Sequence, residues 1–168
     1  MRFRLAAVLA LAPVAVGAAS PGVSYREPQS YRELPASFVD SLKKDGCRIP
    51  QATVGGKVAS NVISGSFAKK GQLDWAALCS KEGHQYIAVF WGGSAQCPSR
   101  IDTGPMISDG DRAIDVADRQ FILDRFDAYG GPKPPEISHL GIDYRILEKG
   151  SEVHYCHEGQ WQVLTGAD

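Results

Sequence analysis

The chain has 168 residues, with 18 Lys and Arg against 19 Asp and Glu, and a net charge of −1. A chain of this size is one domain, large enough to build a core without a cofactor. A weakly acidic chain with no basic cluster excludes nucleic-acid binding as the main role, and no repeat is long enough for a solenoid or propeller.

The first residues, MRFRLAAVLALAPVAVGAAS, have the three parts of a secretory leader. Arg2 and Arg4 form the charged region, Leu5 to Val16 the apolar region, and Gly17-Ala18-Ala19 the small-residue cleavage zone. The apolar run is too short to span a bilayer, and Pro13 interrupts it. The expectation is a signal peptide over 1–19 and a periplasmic or secreted protein with no membrane association after its removal. The mature chain is expected to be a monomer.

Residues 20–33 are polar, contain Pro21 and Pro28, and lack periodicity; they predict a flexible N-terminal segment, with Tyr25 and Tyr31 as the alternative basis for a partner-binding arm. A single domain then covers 34–168. Leu34 to Gly46 predicts a helix, with Pro35 in its first turn, an apolar stripe at Phe38, Val39 and Leu42, and Gly46 as its left-handed end. The densest β pattern follows, with a strand beginning near Val62, a Gly/Lys turn, and strands over Asp74–Ser80 and Gln85–Trp91. Trp75, Ala77 and Cys79 share one face; Ile87, Val89 and Trp91 share another. Both faces of the pair are apolar, which places these strands centrally, under cover on both sides.

Arg100 to Ile107 predicts a further strand, broken at Gly104-Pro105. A second helix is expected from Asp118 to Ala128, with Ile122, Phe126 and Tyr129 on one stripe and Gly130-Gly131-Pro132 as the stop. Gly150–Cys156 and Gln160–Leu164 predict a hairpin turning at His157-Glu158-Gly159. The sum is an α+β domain: a mainly antiparallel sheet with two short covering helices.

In an exported chain, Cys47, Cys79, Cys97 and Cys156 predict two disulfides. Three connectivities are open. Cys47–Cys79 with Cys97–Cys156 is preferred, because it ties the first helix end to the central sheet and a loop to the C-terminal hairpin. No Cys-x-x-Cys redox pair is present.

The catalytic candidates are His139 and Asp143, in the run SHLGID. A short helix beginning at Ile142 would bring its amides near both side chains. The bland reading is a histidine hydrogen-bonded to a turn, since Ser138 adjoins His139 in sequence without the geometry of a nucleophile. Asp109, Asp111, Asp115 and Asp118 lack the ligand pattern of an EF-hand and fit turn and helix-cap roles. His154, Cys156 and His157 do not fall on one strand face, so zinc is not expected, and His84 fits a solvent-exposed turn. Trp75, Trp91, Trp161, Tyr86, Phe90 and Tyr155 read as core in preference to a groove.

Two resemblances complete the reading. In GSFAKKGQLDW, Gly65, Phe67, Gly71 and Asp74 match the calcium loop of FG-GAP-type repeats, which implies a strand–turn–strand shape with Asp74 as metal candidate. The family's other oxygen ligands would fall at Ser66, Ala68 and Lys70. Alanine and lysine there remove the hard-cation site, so the loop would instead pair Asp74 with Lys69 or Lys70. The stretches GCRIPQ, GQLDWAALCS, VFW, HLGID and GQWQVLTGAD resemble small exported bacterial proteins of unassigned function, which implies a single exported domain. No cofactor is expected. The function expected is a non-enzymatic binding module for a protein or small ligand, in one version an inhibitor of a host or competitor enzyme. A small hydrolase using His139 and Asp143 is the alternative.

Overall fold

A computed structural model describes residues 24–54, 57–59, 61–105 and 111–167. The expected leader, and Asp109 of the acidic cluster, lie outside the described residues. No helix among the described residues is long and apolar enough to cross a membrane.

The strands β1 (Tyr25–Arg26) and β2 (Ile49–Pro50) pair with each other, as do β3 (Thr53–Val54) and β4 (Lys57–Val58). Part of the expected lead-in is therefore anchored: Tyr25 and Arg26 lie against Pro50 and Ile49, a 3₁₀ turn covers Pro28–Ser30, and Tyr31 is buried.

Two four-stranded antiparallel sheets carry the fold, where the sequence predicts one. The first runs in the order β5 (Val62–Gly65), β6 (Asp74–Lys81), β7 (His84–Phe90), β8 (Arg100–Pro105). The second runs in the order β12 (Gln160–Thr165), β11 (Gly150–His157), β10 (Gly141–Ile146), β9 (Arg112–Ala117). The second sheet exists because Arg112–Ala117 and Gly141–Ile146 are strands. Ile142 thus lies inside a strand, and no helix N-terminus forms there to serve His139 or Asp143.

The register sorts side chains into layers. Ala76 pairs with Val89 and Leu78 with Ile87, and this face meets Ile114, Ile142 and Tyr144 of the second sheet. The opposite face of the first sheet, with Ala77, Cys79 and Tyr86, is covered by Phe38 and Leu42 of α1 (Ala36–Asp45). On the outer face of the second sheet, Val153, Tyr155 and Leu164 pack with Ile122 of α2 (Arg119–Tyr129). The order of layers is helix, sheet, sheet, helix.

Pro35 holds an extended ψ of 137°, which delays the start of α1 to Ala36, and Gly46 closes it with φ 73°. Asp118 caps α2 by accepting from the Phe121 amide at 2.7 Å. Of the expected α2 stripe only Ile122 is buried; Phe126 is half-buried and Tyr129 is exposed.

The sheets are joined along two seams. On the β5–β9 side, the Asn61 amide donates to the carbonyls of Pro50 (2.8 Å) and Arg112 (3.2 Å), and its oxygen accepts from the Ile114 amide at 3.0 Å. On the β8–β12 side, Cys97 and Cys156 form a disulfide, Trp161 donates to the Pro98 carbonyl at 2.8 Å, and the Trp91 and Trp161 rings stack at 5.8 Å. The second disulfide, Cys47–Cys79, joins the end of α1 to β6. The loops closed, with sequence separations of 32 and 59, correspond to roughly 4 kcal/mol each in the chain-entropy account.

Candidate functional site

The residues singled out in the sequence are distributed over the fold. Asp74 is fully buried, and both of its oxygens are engaged. Oδ2 accepts from the amides of Phe67 and Ala68, each at 2.9 Å; Oδ1 accepts from Gln72 Nε2 at 2.7 Å and the Gly92 amide at 3.1 Å. The strand–turn–strand shape is present, but the carboxylate that would hold calcium is saturated by four donors. Main-chain amides and Gln72, rather than Lys69 or Lys70, fill the loop; both lysines are exposed.

His139 stacks on the Tyr155 ring at 4.3 Å, and its Nδ1 lies 3.0 Å from the Leu140 carbonyl. Tyr155 in turn accepts from the Ser138 amide at 3.0 Å. Asp143 is buried and accepts from Arg145 Nε at 2.6 Å, while the far side of that guanidinium reaches Asp115 at 3.0 Å. Burial alone would lower the Arg145 pKa; the hydrogen bond and charge of Asp143, then of Asp115, raise it overall. His139 and Asp143 thus have different partners. His139 lines a shallow depression with Ser66, Lys70, Asp118 and Ser138.

Among the described residues no three His, Cys, Asp or Glu converge as a metal site. Cys156 is in its disulfide, and His84 is exposed in the hairpin. Tyr86 and Tyr155 are core residues, and Trp75, Phe90, Trp91 and Trp161 are partly buried against the apolar clusters. Tyr86 also donates to Asp45. Burial first, and that hydrogen bond second, raise its pKa well above the usual 10.

The arrangement with most chemical content is one the sequence does not announce. Register sets Ile114, Tyr144, Glu152 and Thr165 side by side across β9, β10, β11 and β12, with Arg112 opposite Ile146 beyond them. At this end the space between the sheets opens into a cavity of about 600 Å³. Thr103 and Pro105 of β8 form one wall; Arg112, Tyr144, Ile146 and Glu152 form the other. Lys149 in the β10–β11 turn and Tyr129 at the end of α2 stand at the rim. The volume falls within the usual range for small-molecule sites, about 300–1,000 Å³.

Several polar atoms on the cavity lining or behind it are buried without hydrogen bonds. Arg112 is 8% exposed; its Nη1 lies 3.0 Å from Asp111 Oδ1 but out of hydrogen-bonding alignment. The hydroxyl of Thr103 has no partner, nor does Nε2 of Gln85, whose Oε1 accepts from Tyr144 at 3.4 Å. His154, buried behind Glu152, brings Nε2 to 3.2 Å from Glu152 Oε1, and the imidazole holds that carboxyl below the usual range against the opposing effect of burial. Native interiors leave few such atoms unsatisfied. Two of these residues, Thr103 and Arg112, line the open cavity, while Gln85 and His154 back its Tyr144 and Glu152, which makes this end of the sandwich the candidate site.

Comparison with protein-family models, with curated proteins and with solved structures gives no match.

Proposed function

We propose that this protein is a non-enzymatic binding module, working in an oxidising compartment outside the cytoplasm and holding a small ligand in the cavity between its sheets. One observation carries the reading: Arg112 and Thr103 line a cavity of about 600 Å³ and each holds a buried polar atom without a hydrogen bond. Leaving such atoms unpaired costs about 1–3 kcal/mol each, a cost that is removed when the side chains turn to meet a bound polar group. Two disulfides with good spacing, Cα–Cα 5.1 and 6.0 Å, support the compartment. Among the described residues the exposed large apolar side chains, Val58, Leu73, Tyr129 and Val163, lie on four different segments. The inhibitor version, which needs a protein-docking patch, therefore draws less support than the small-ligand version. The hydrolase version draws less again, since His139 and Asp143 have separate partners.

The test is thermal unfolding of the mature oxidised protein with the low-molecular-weight fraction of a periplasmic extract. A ligand at a hundred times its Kd stabilises by about 2.7 kcal/mol, a readily measured rise in Tm. Lys149→Trp, which places a large ring at the rim, should abolish the rise. No rise in the parent protein would refute the reading.

A further inference from the structure

The charges around the cavity limit what it can hold. Two are cationic, Arg112 inside and Lys149 at the rim; two are anionic, Glu152 inside and Asp111 behind the Arg112 guanidinium. A ligand that is only an anion would meet the Glu152 carboxylate. One that is only a cation would meet Arg112 and Lys149. A neutral polyol would leave Asp111 as the counter-charge of Arg112 and His154 as the partner of Glu152, adding no charge of its own to either pole.

Much of the remaining lining is apolar. Pro105, Ile146, Ala167 and the rings of Tyr129 and Tyr144 line the same cavity as Arg112 and Glu152, with Thr103, Ser151 and Thr165 as its uncharged polar members. Arg112 lines the cavity, and its guanidinium is buried and oriented by Asp111, whose Oδ1 stands 3.0 Å from Nη1 out of hydrogen-bonding alignment. Glu152 is an acceptor backed by His154 at 3.2 Å and borders the same space. Tyr144 and Glu152 are direct cross-strand neighbours, and Arg112 lies diagonal to Tyr144 across β9 and β10. The two poles therefore stand on one sheet with β10 and its Tyr144 between them, Arg112 on β9 and Glu152 on β11, and a guanidinium–carboxylate contact sets orientation as well as affinity.

We infer that the cavity binds a small zwitterion with an apolar body, its carboxylate at Arg112 and Lys149 and its ammonium at Glu152: a free apolar amino acid or a short peptide with free ends. This rests on the proposed small-ligand reading and adds the ligand class.

The experiment is titration calorimetry on the mature oxidised protein with four probes: leucine, the dipeptide leucyl-leucine, 3-methylbutylamine and 4-methylpentanoate. The two single-charge probes keep the apolar body and lose one pole each. The expected result is saturable binding of leucine or the dipeptide, with at least a tenfold loss for both single-charge probes. Which zwitterion binds tighter separates the free amino acid from the peptide terminus as source. Glu152→Gln should weaken the zwitterion and improve 4-methylpentanoate relative to it. Lys149→Ala, at an exposed turn position, should weaken every carboxylate probe and should not weaken 3-methylbutylamine. Equal binding of leucine and either single-charge probe would overturn the inference. Stabilisation by the extract fraction without binding of any probe would overturn the zwitterion and leave the small-ligand reading standing; failure of both would defeat both.

Discussion

Replacing Asp74 tests whether one carboxylate organises the turn that sets the β5–β6 and β7 ends together. In Asp74→Ala four donors lose an acceptor, but not with equal consequence. Gln72 Nε2 keeps the Ser94 carbonyl at 3.1 Å, and the Gly92 amide is only part-buried and can reach water. The Phe67 and Ala68 amides are buried, with that carboxylate oxygen as their acceptor. Each orphaned donor costs about 1–3 kcal/mol, so the sum is about 4 kcal/mol. With a urea m-value near 2 kcal/mol/M, that is a midpoint shift of about 2 M. Asp74→Asn keeps one acceptor oxygen but turns an NH₂ toward the other pair of donors, and should cost about half as much. Urea unfolding of the oxidised protein followed by tryptophan fluorescence reads both, since Trp75 and Trp91 adjoin the turn. A loss under about 0.5 kcal/mol for Asp74→Ala, the range of an inert surface change, would refute the turn-organising role. A rise in Tm on adding calcium, absent in Asp74→Ala, would restore the metal reading.

Gly92→Ala would place a Cβ 1.9 Å from the Leu73 carbonyl oxygen, so the main chain must move and the cost should be several kcal/mol by the same assay. Gly46→Ala has room, with Lys81 as nearest neighbour at 3.7 Å, and should cost only the left-handed conformation, about 1 kcal/mol. Glu152 has a depressed folded pKa through its contact with His154, so its contribution is present above the ordinary value of 4.5 and lost as pH falls through the folded value. The stability gap between the parent and Glu152→Gln, from unfolding at a series of pH values, should therefore shrink below that point; a gap that widens in acid would contradict the assignment. Tyr86 has a raised pKa, so its contribution is present below the ordinary value of 10 and lost as pH rises above it. The parent should lose stability in alkali more steeply than Tyr86→Phe, and parallel curves would remove Tyr86 from the alkaline transition.

What was legible in the sequence was local or two-faced. The β6–β7 pair announces itself because Trp75–Ala77–Cys79 and Ile87–Val89 are apolar on alternate sides, which only a sheet covered twice requires. The caps at Gly46 and Asp118 depend on one residue each and read directly. The strands β9 and β10 were illegible for a stated reason. RAIDVA and GIDYRI carry Asp115, Asp143 and Arg145 on the helix-facing side, where charge argues against a strand. The three compensate one another across strands, a pairing that exists only once the register is known. The same holds for the candidate site: Arg112, Tyr144, Glu152 and Thr165 are far apart in sequence, and none belongs to a motif. A signal was present in the buried side of β11, where His154 follows Glu152 by two residues, but it reads equally well as an exposed edge.

The two disulfides also decide how the molecule would respond to being pulled. With Cys97 joined to Cys156 and Cys47 to Cys79, tension applied at the chain ends passes through sulfur and bypasses β8, β9, α2, β10 and most of β11, as well as β2 to β5 and most of β6. While oxidised, those segments can loosen but cannot lengthen. The extensible chain is then the N-terminal part up to Cys47, the stretch from Cys79 to Cys97, and the last strand with its tail. A stretching measurement would show a short contour gain in the oxidised protein and a much longer one after reduction. Both walls of the cavity, Thr103 and Pro105 on one side and Arg112, Tyr144, Ile146 and Glu152 on the other, lie within the locked region and would keep their connectivity under any load that leaves the sulfur bonds intact.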